Sequence, residues 1–444
     1  MVRKIIIAAI CITTLPIAVF SVQQFTAVKI GGTGLWWAIE FFTIAVFVVA
    51  AFVFGTKEVK KGQIVLMLFL LYMVFSIFRG FFKAENYWDY KGLVNNAFGL
   101  LLPIAIFAIA DKNVLQSVLS FFVRYGLLLA LPILIPTPIG AWGWYLFPIN
   151  FLILFLPALK NQWKVLLIAI TIIVTTGDIS TRSHLIKYLI PVLLLSLYYF
   201  RFFIATDEIT QIGTKVLMFA PWILFVLGVT GVFNVFRMNE YIKANYTAET
   251  TNAQGEVKKQ DITNDSRTFM YEEALQSAKK YDYWLLGRSP ARGNETFVFA
   301  DAMLEITGRR ERLRNEAGIP NFFTWTGIIG VMFYFFVFYR ATYLAVNKSN
   351  NIYSKIIGLY TAFHWAYTWV ENNGAFGMNT FTICLYLAIC FSASFRKMNN
   401  LEVKMWARGI FSKKYVKYMR YSEKNIATTF TPLKKLSLDE KIYT

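Results

Sequence analysis

Apolar residues in this chain come in long blocks rather than in the one-sided stripes of a soluble helix. The run "FFTWTGIIGVMFYFFVFYR" at 322–340 is one such block, and blocks like it recur from end to end. A helix needs about 20 apolar residues to cross a hydrocarbon core about 30 Å thick. Twelve segments meet that pattern: 5–22, 35–55, 64–82, 93–110, 114–135, 143–159, 165–177, 184–204, 215–236, 322–340, 352–370 and 377–395. The seventh is short, and the fifth carries Arg124. Period-two alternation is missing, and backbone groups in lipid must pair internally, so the pattern predicts helices rather than a barrel. The expected fold class is an all-α polytopic membrane protein of about 12 transmembrane helices with one large helical loop. Its parts are helices one to nine (1–236), the loop (237–321), helices ten to twelve (322–395) and a basic tail (396–444).

The polar breaks are short except for 237–321, which carries thirteen basic and thirteen acidic residues. Its first part, "ANYTAETTNAQGEVKKQDITND", has the composition of a segment that buries little. "DSRTFMYEEALQSAKKYDYWLLG" then reads as a helix, with Asp265 or Ser266 as N-cap, Lys279 and Lys280 near its end, and Gly287 as its stop. A turn-rich "RSPARGNE" leads into a second helical run, "FVFADAMLEITGRRERLRNEA", with a kink expected at Gly308. On that run Glu305, Arg309, Arg312 and Glu316 would share one face.

Composition sharpens this picture. The chain is 57% hydrophobic and 16% charged, against roughly 25% charged in soluble domains, so the apolar excess belongs in lipid. The net charge is +19. Lys and Arg collect in "KEVKK" (57–61), "KNQWK" (160–164), Lys348 and the tail, where twelve basic residues face four acidic ones from Arg396 onward. The positive-inside rule then places both termini in the cytoplasm and the 237–321 loop outside. The basic surplus is a topology signal and a match for anionic membrane lipid, and it does not indicate nucleic acid. "MVRKIIIAAICITTLPIAVFSVQ" shows no small-x-small cleavage pattern and is read as an anchor. Cys11, Cys384 and Cys390 all fall inside predicted spans, so no disulfide or thiolate metal site is expected in the loop.

Four arginines at 309–314 stand just before the tenth span, and Arg182 stands before the eighth, on the same predicted side. "STRSHLIKYLIPVLLL", "SRTFMYEEAL", "WLLGRSPARG" and "RNEAGIPNFFTWTGIIG" occur in that order. Together they resemble the O-antigen polymerase/ligase superfamily over about 170–340. The resemblance implies a GT-C-like glycosyltransferase of the bacterial inner membrane. Its donor would be a polyprenyl-diphosphate-linked oligosaccharide, and its acceptor a glycan or a lipid A core. Chain-length regulators and flippases are the implied protein partners.

Arg182 and Arg267 fall on that family's diphosphate-binding arginines, and Arg288, Arg292, Arg312 and Arg314 are further candidates for the same anion. Planar guanidinium forks suit phosphate oxygens. The family's loop histidine is missing here. Glu316 occupies about that slot and is the candidate base, with His184, Asn315 and Asn321 as alternatives. A carboxylate suffices to take a hydroxyl proton. No convincing metal-binding spacing stands out in the loops, so neither metal nor other cofactor is expected; Glu85 and Asp89 in "KAENYWDY" are the next ligands to consider if that expectation fails. Polymerase and ligase share the donor and stay unseparated. A lipid-linked oligosaccharide flippase is the rival of another class.

Overall fold

The computed structural model describes residues 1–26, 29–55, 63–177, 182–237, 247–251, 257–261 and 267–418. The side chains of 182–184, 247–251 and 257–261 are outside that description, as are Asp178, Asp265, Ser266, the basic run 57–61 and the end of the tail. The fold is 76% helical. Among the described residues, seven helices are long and apolar enough to cross a membrane: α1 (Val2–Val22), α2 (Thr33–Phe54), α3 (Ile64–Lys83), α4 (Tyr87–Ile109), α5 (Lys112–Leu134), α9 (Thr206–Val229) and α12 (Gly318–Asn347). Shorter helices fill the remaining places: α6 (Pro148–Ile153), α7 (Asn161–Gly177), α8 (Arg182–Tyr199), α13 (Ile352–Tyr367), α14 (Met378–Phe391) and α15 (Asn400–Phe411). By length and composition this is the helix set of a membrane protein.

Helix exposure sorts the bundle into a centre and a rim. Every residue of α14 is buried, and most of α12 and α13 is. On α2 the buried positions run Trp36, Glu40, Thr43, Ile44, Phe47, Ala50 and Phe54, a helical spacing, while Phe41, Phe42, Val49 and Phe52 are exposed. Water penalises such apolar faces and lipid does not. The segment 143–159, expected as one span, is instead a chain of short turns: Trp142–Tyr145, then α6 headed by Pro148, then Leu156–Ala158 around Pro157. Its Tyr145, Phe147, Phe151 and Phe155 are fully buried. Broken backbone at apolar depth is tolerated where protein rather than lipid surrounds it.

The loop departs from the purely helical expectation. It holds a hairpin of β1 (Thr247–Thr251) with β2 (Val257–Asp261), then α10 (Thr268–Tyr281), β3 (Asn294–Glu295), α11 (Ala300–Thr307) and β4 (Glu311–Arg312). β3 and β4 pair antiparallel, Asn294 opposite Arg312 and Glu295 opposite Glu311. The second helical run therefore ends at Gly308, whose φ of 73° makes it a left-handed cap rather than a kink. Beyond it the chain bends, with strand only at Glu311–Arg312, so Glu305, Arg309, Arg312 and Glu316 do not share a helical face. Likewise α10 stops at Asp282, in the left-handed region, five residues before Gly287.

The loop is seated on the bundle through its backbone. Inside α12, Gly327 has φ 65° and ψ −171°, which interrupts the helix. The turn at 284–288 enters that gap. Ile328 N–H donates to Trp284 O at 2.9 Å, and Arg288 N–H donates to Thr324 O at 2.7 Å. Tyr72 Oη on α3 donates to the Thr326 carbonyl at 2.7 Å, and Arg79 donates to the carbonyls of Leu286 and Gly287 at 2.7 and 3.0 Å. The polar groups freed by the break are thus paired again. Two glycines make the approach feasible: a Cβ on Gly287 would lie 2.4 Å from Thr326 N, and one on Gly327 would lie 2.1 Å from Leu285 O.

Alanine at Gly287 or Gly327 therefore adds a backbone collision to positive-φ strain. At Gly308, where φ is also positive but nothing lies within 4 Å of a Cβ, strain acts alone and costs about 1 kcal/mol. Melting of the detergent-purified protein should fall clearly further for Gly287→Ala and Gly327→Ala than for Gly308→Ala. Equal shifts would mean that the turn does not dock in the break.

Candidate functional site

Two groups of charge lie where the loop meets the bundle. The first is an ion-pair cluster. Glu311 on β4 accepts from Arg292 at 2.5 and 2.9 Å and from Arg288 at 3.0 Å. Arg288 also donates to Gly293 O at 2.7 Å and lies over the Tyr281 ring at 4.2 Å. Arg309 pairs with Glu85 at 2.5 Å and lies 3.4 Å from Asp89, and Arg292 reaches Glu85 at 3.5 Å. Asp89 itself accepts the backbone N–H of Glu85 at 2.9 Å. The cluster ties the 288–312 segment to the start of α4. Burial pushes the Glu311 carboxyl up, but the hydrogen bond from Arg292 and the charges of both arginines outweigh it and hold it below the usual range. The Arg309 hydrogen bond and charge do the same for Glu85, which is exposed.

The second group lines a cavity of about 1040 Å³. Its walls come from the end of α1, the start of α2, the start of α4, Trp144, Arg267, residues 314–316 and the polar stretch 371–380. Arg267 is the N-cap of α10. Arg314 donates to Asn96 Oδ1 at 2.8 Å, and Asn96 in turn donates to Pro290 O at 2.9 Å. Arg314 is packed about by protein yet its surface is open to the cavity. Burial lowers its pKa, and the charge of Glu40 opposes that. Glu316 also lines the cavity, its side chain 69% exposed, with Arg312 3.9 Å away. Asn315 is fixed by its neighbour: Asn321 Oδ1 accepts its backbone N–H at 2.6 Å, and Asn321 Nδ2 donates to its carbonyl at 2.9 Å.

The cavity therefore gathers Arg267, Arg314, Asn315 and Glu316 out of the candidates. Arg288 and Arg292 are not in its lining; carboxylates occupy them. Arg312 is not in it either, and its guanidinium lies over the rings of Phe299 and Phe269 at 4.8 and 5.7 Å. Asn321 is buried and braces the turn before α12. Arg182 and His184 belong to α8, and their side chains are outside the described residues. Glu85 and Asp89 face arginines, and among the described residues no group of three or more His, Cys, Asp or Glu is arranged to hold a metal ion.

Sequence reasoning missed half of this cavity. Glu40, Trp36 and Trp37 lie in a segment read as a plain span, Glu371 in the gap between the eleventh and twelfth spans, and Asn379 at the start of the twelfth. Lys187, one turn into α8, is wholly buried and donates to Glu371 Oε1 at 2.5 Å. The signals were present: a lone carboxylate inside "WWAIEFFTIAV", a lysine inside "RSHLIKYLIP" and the polar run "ENNGAFGMN". Ionisable residues at membrane depth are costly and mark functional cavities more often than chance allows. Compared with known proteins, the chain matches no family model and no curated protein.

Glu311→Gln leaves Arg288 and Arg292, whose side chains are 9% and 14% exposed, without their shared anion. That should cost about 3–5 kcal/mol and open the 288–312 segment to protease, whereas Glu85→Gln at the exposed edge should shift melting little. The pH dependence has a fixed sign. A carboxyl whose folded pKa is depressed contributes in full above its unfolded pKa of about 4.3 and loses that contribution as pH falls through the lower folded value. Protection of this segment should therefore hold as pH drops to about 4.5 and decline below it. Loss beginning near neutral pH would show that other groups hold the loop.

Proposed function

We propose that the chain is a glycosyltransferase of the bacterial inner membrane, with both termini cytoplasmic and the cavity on the extracytoplasmic side. On this reading α7, α8, α13, α14 and the broken 143–159 segment complete a twelve-span frame, and 237–321 is the external loop. The donor is a polyprenyl-diphosphate-linked oligosaccharide. The acceptor is the end of a growing surface polysaccharide, or a lipid A core if the protein is a ligase.

The observation that carries the reading is the joint placement of Arg267, Arg314 and Glu316 in one large cavity with tryptophan walls, where loop and bundle meet. Its volume is at the upper end of ordinary ligand pockets, suited to a substrate larger than one sugar. In the transfer, the acceptor hydroxyl oxygen bonds to the donor's anomeric carbon. Glu316 takes its proton, and the carbon–oxygen bond to the diphosphate breaks with its electron pair going to the diphosphate. Arg267 and Arg314 offset the charge that builds there, in a site partly withdrawn from water where preorganised cations act strongly. The interlock of "WLLGRSPARG" with "TWTGIIG" at Gly327 supports the same reading, since two segments of the superfamily resemblance meet there.

The test is turnover in proteoliposomes given polyprenyl-diphosphate oligosaccharide, with and without a lipid A core. Polymer formed without the core marks a polymerase, and product formed only with it marks a ligase. Glu316→Gln should lower turnover about 10²–10⁴-fold with donor binding nearly intact. Arg314→Lys keeps the charge and loses the fork, so it should weaken donor binding. Activity should survive chelation. Transbilayer movement of intact donor without glycan transfer would replace this reading with a flippase. Normal turnover in Glu316→Gln with an inactive His184→Ala would move the base to the start of α8.

A further inference from the structure

The polar atoms of the cavity are unevenly matched. Glu40 Oε2, Glu371 Oε2, Asn315 Oδ1 and Asn379 Oδ1 are buried with no hydrogen-bond partner in the protein, and all four residues line the cavity. The amide nitrogens beside them are taken: Asn315 Nδ2 donates to Asn294 Oδ1 at 2.8 Å, and Asn379 Nδ2 to Asn373 Oδ1 at 3.0 Å. The unpartnered atoms of Glu371, Asn315 and Asn379 are thus oxygens placed to accept. A buried acceptor left without a donor is costly, and several on one cavity call for a ligand rich in donors.

Two ligand chemistries answer these unpartnered oxygens, a cation or a polyhydroxyl compound. Arg267, Arg314, Lys29 and Lys91 share the lining and work against a cation. The aromatic walls favour the second. Trp36 Nε1 donates to Ile30 O at 2.8 Å and Trp37 Nε1 to Asn95 Oδ1 at 2.7 Å, so both indoles are tethered; Trp36 packs on Phe20 with ring centroids 5.3 Å apart, and the half-buried Trp37 is the ring that can meet the face of a sugar. Glu371 is held for the task. Lys187 fixes its Oε1, and the ammonium is itself confined by the rings of Trp144, Phe147 and Tyr367 at 5.1, 5.3 and 5.6 Å. A buried pair of this kind adds little net stability over an apolar pair of the same size. It does fix one carboxylate oxygen and leave the other unbonded.

We propose that Glu40, Glu371, Asn315 and Asn379, walled by Trp36 and Trp37, form the subsite that holds the acceptor glycan by its hydroxyl groups, with Lys187 as the positioning residue for Glu371. This rests on the transferase reading for the word acceptor, but the binding of a glycan at this place stands or falls separately.

Tryptophan fluorescence of the purified full chain in detergent reads two probes. One is polyprenyl diphosphate carrying no sugar. The other is the neutral oligosaccharide released by mild acid from the polyprenyl-linked pool of the source cell, used as such and after permethylation, which keeps the rings and removes every O–H donor. The free oligosaccharide should bind, and its permethylated form at least tenfold more weakly. The double variant Lys187→Met/Glu371→Gln leaves no unpaired buried charge. It should melt near the parent, bind polyprenyl diphosphate as the parent does, and bind oligosaccharide at least tenfold more weakly. Equal binding of the permethylated form, no binding of the free form, or parent-like oligosaccharide binding by the folded double variant each overturns the subsite. So does a melt raised by magnesium or calcium without oligosaccharide binding. The permethylation comparison needs no variant and decides the matter even where the double variant fails to fold. A parent that binds oligosaccharide but not polyprenyl diphosphate keeps the subsite and refutes the transferase.

Discussion

Backbone hydrogen bonding at the break in α12 is the constraint on which the loop's placement depends. A helix interrupted at Gly327 leaves peptide groups that an apolar interior cannot satisfy. The 284–288 turn supplies the missing partners, and Tyr72 and Arg79 on α3 close the remaining carbonyls. Because the pairing is backbone to backbone at van der Waals limits, it fixes the turn to within a small displacement. Everything that follows the turn in the chain, including β3, β4 and residues 314–316, inherits that position. The cavity is a consequence of this docking.

The arginines of the loop divide according to which carboxylates reach them. Arg288, Arg292 and Arg309 meet Glu311, Glu85 and Asp89 and become struts. Arg312 is taken up by aromatic faces. Arg267 and Arg314 open on the cavity instead. The same guanidinium chemistry therefore takes two places within a short stretch of chain, one braced by carboxylates and one facing the cavity. On the proposed reading this division also has a logic: cations already neutralised by fixed carboxylates would have little left for a diphosphate.

The cavity's carboxylates follow a similar division. Glu316 is largely exposed, with Arg312 3.9 Å away. Glu371 is clamped by a wholly buried lysine, and Glu40 is buried beside the charge of Arg314. On the proposed reading an exposed acid suits proton uptake and a clamped one suits the orientation of hydroxyls.

Hydrophobic blocks of membrane length marked the chain as a helical membrane protein and placed its long apolar helices, because burial in lipid needs nothing beyond apolar length. They also marked 237–321 as the segment apart, and within it Arg267, Arg314, Asn315 and Glu316 as chemistry worth following. Block length could not show that 143–159 is broken, since a segment enclosed by other helices is as apolar as one that faces lipid. Helical periodicity misread 309–316, because the positive φ of Gly308 and the pairing of β4 with β3 override a run of good helix formers. The partition of the arginines, and the entry of Glu40, Glu371 and Lys187 into the site, were decided by the tertiary structure alone. Glu40 and Glu371 stand 331 positions apart in the chain, and only the packing of α1, α2 and the 371–380 stretch against the docked loop brings them to one cavity, with Lys187 of α8 buried behind Glu371.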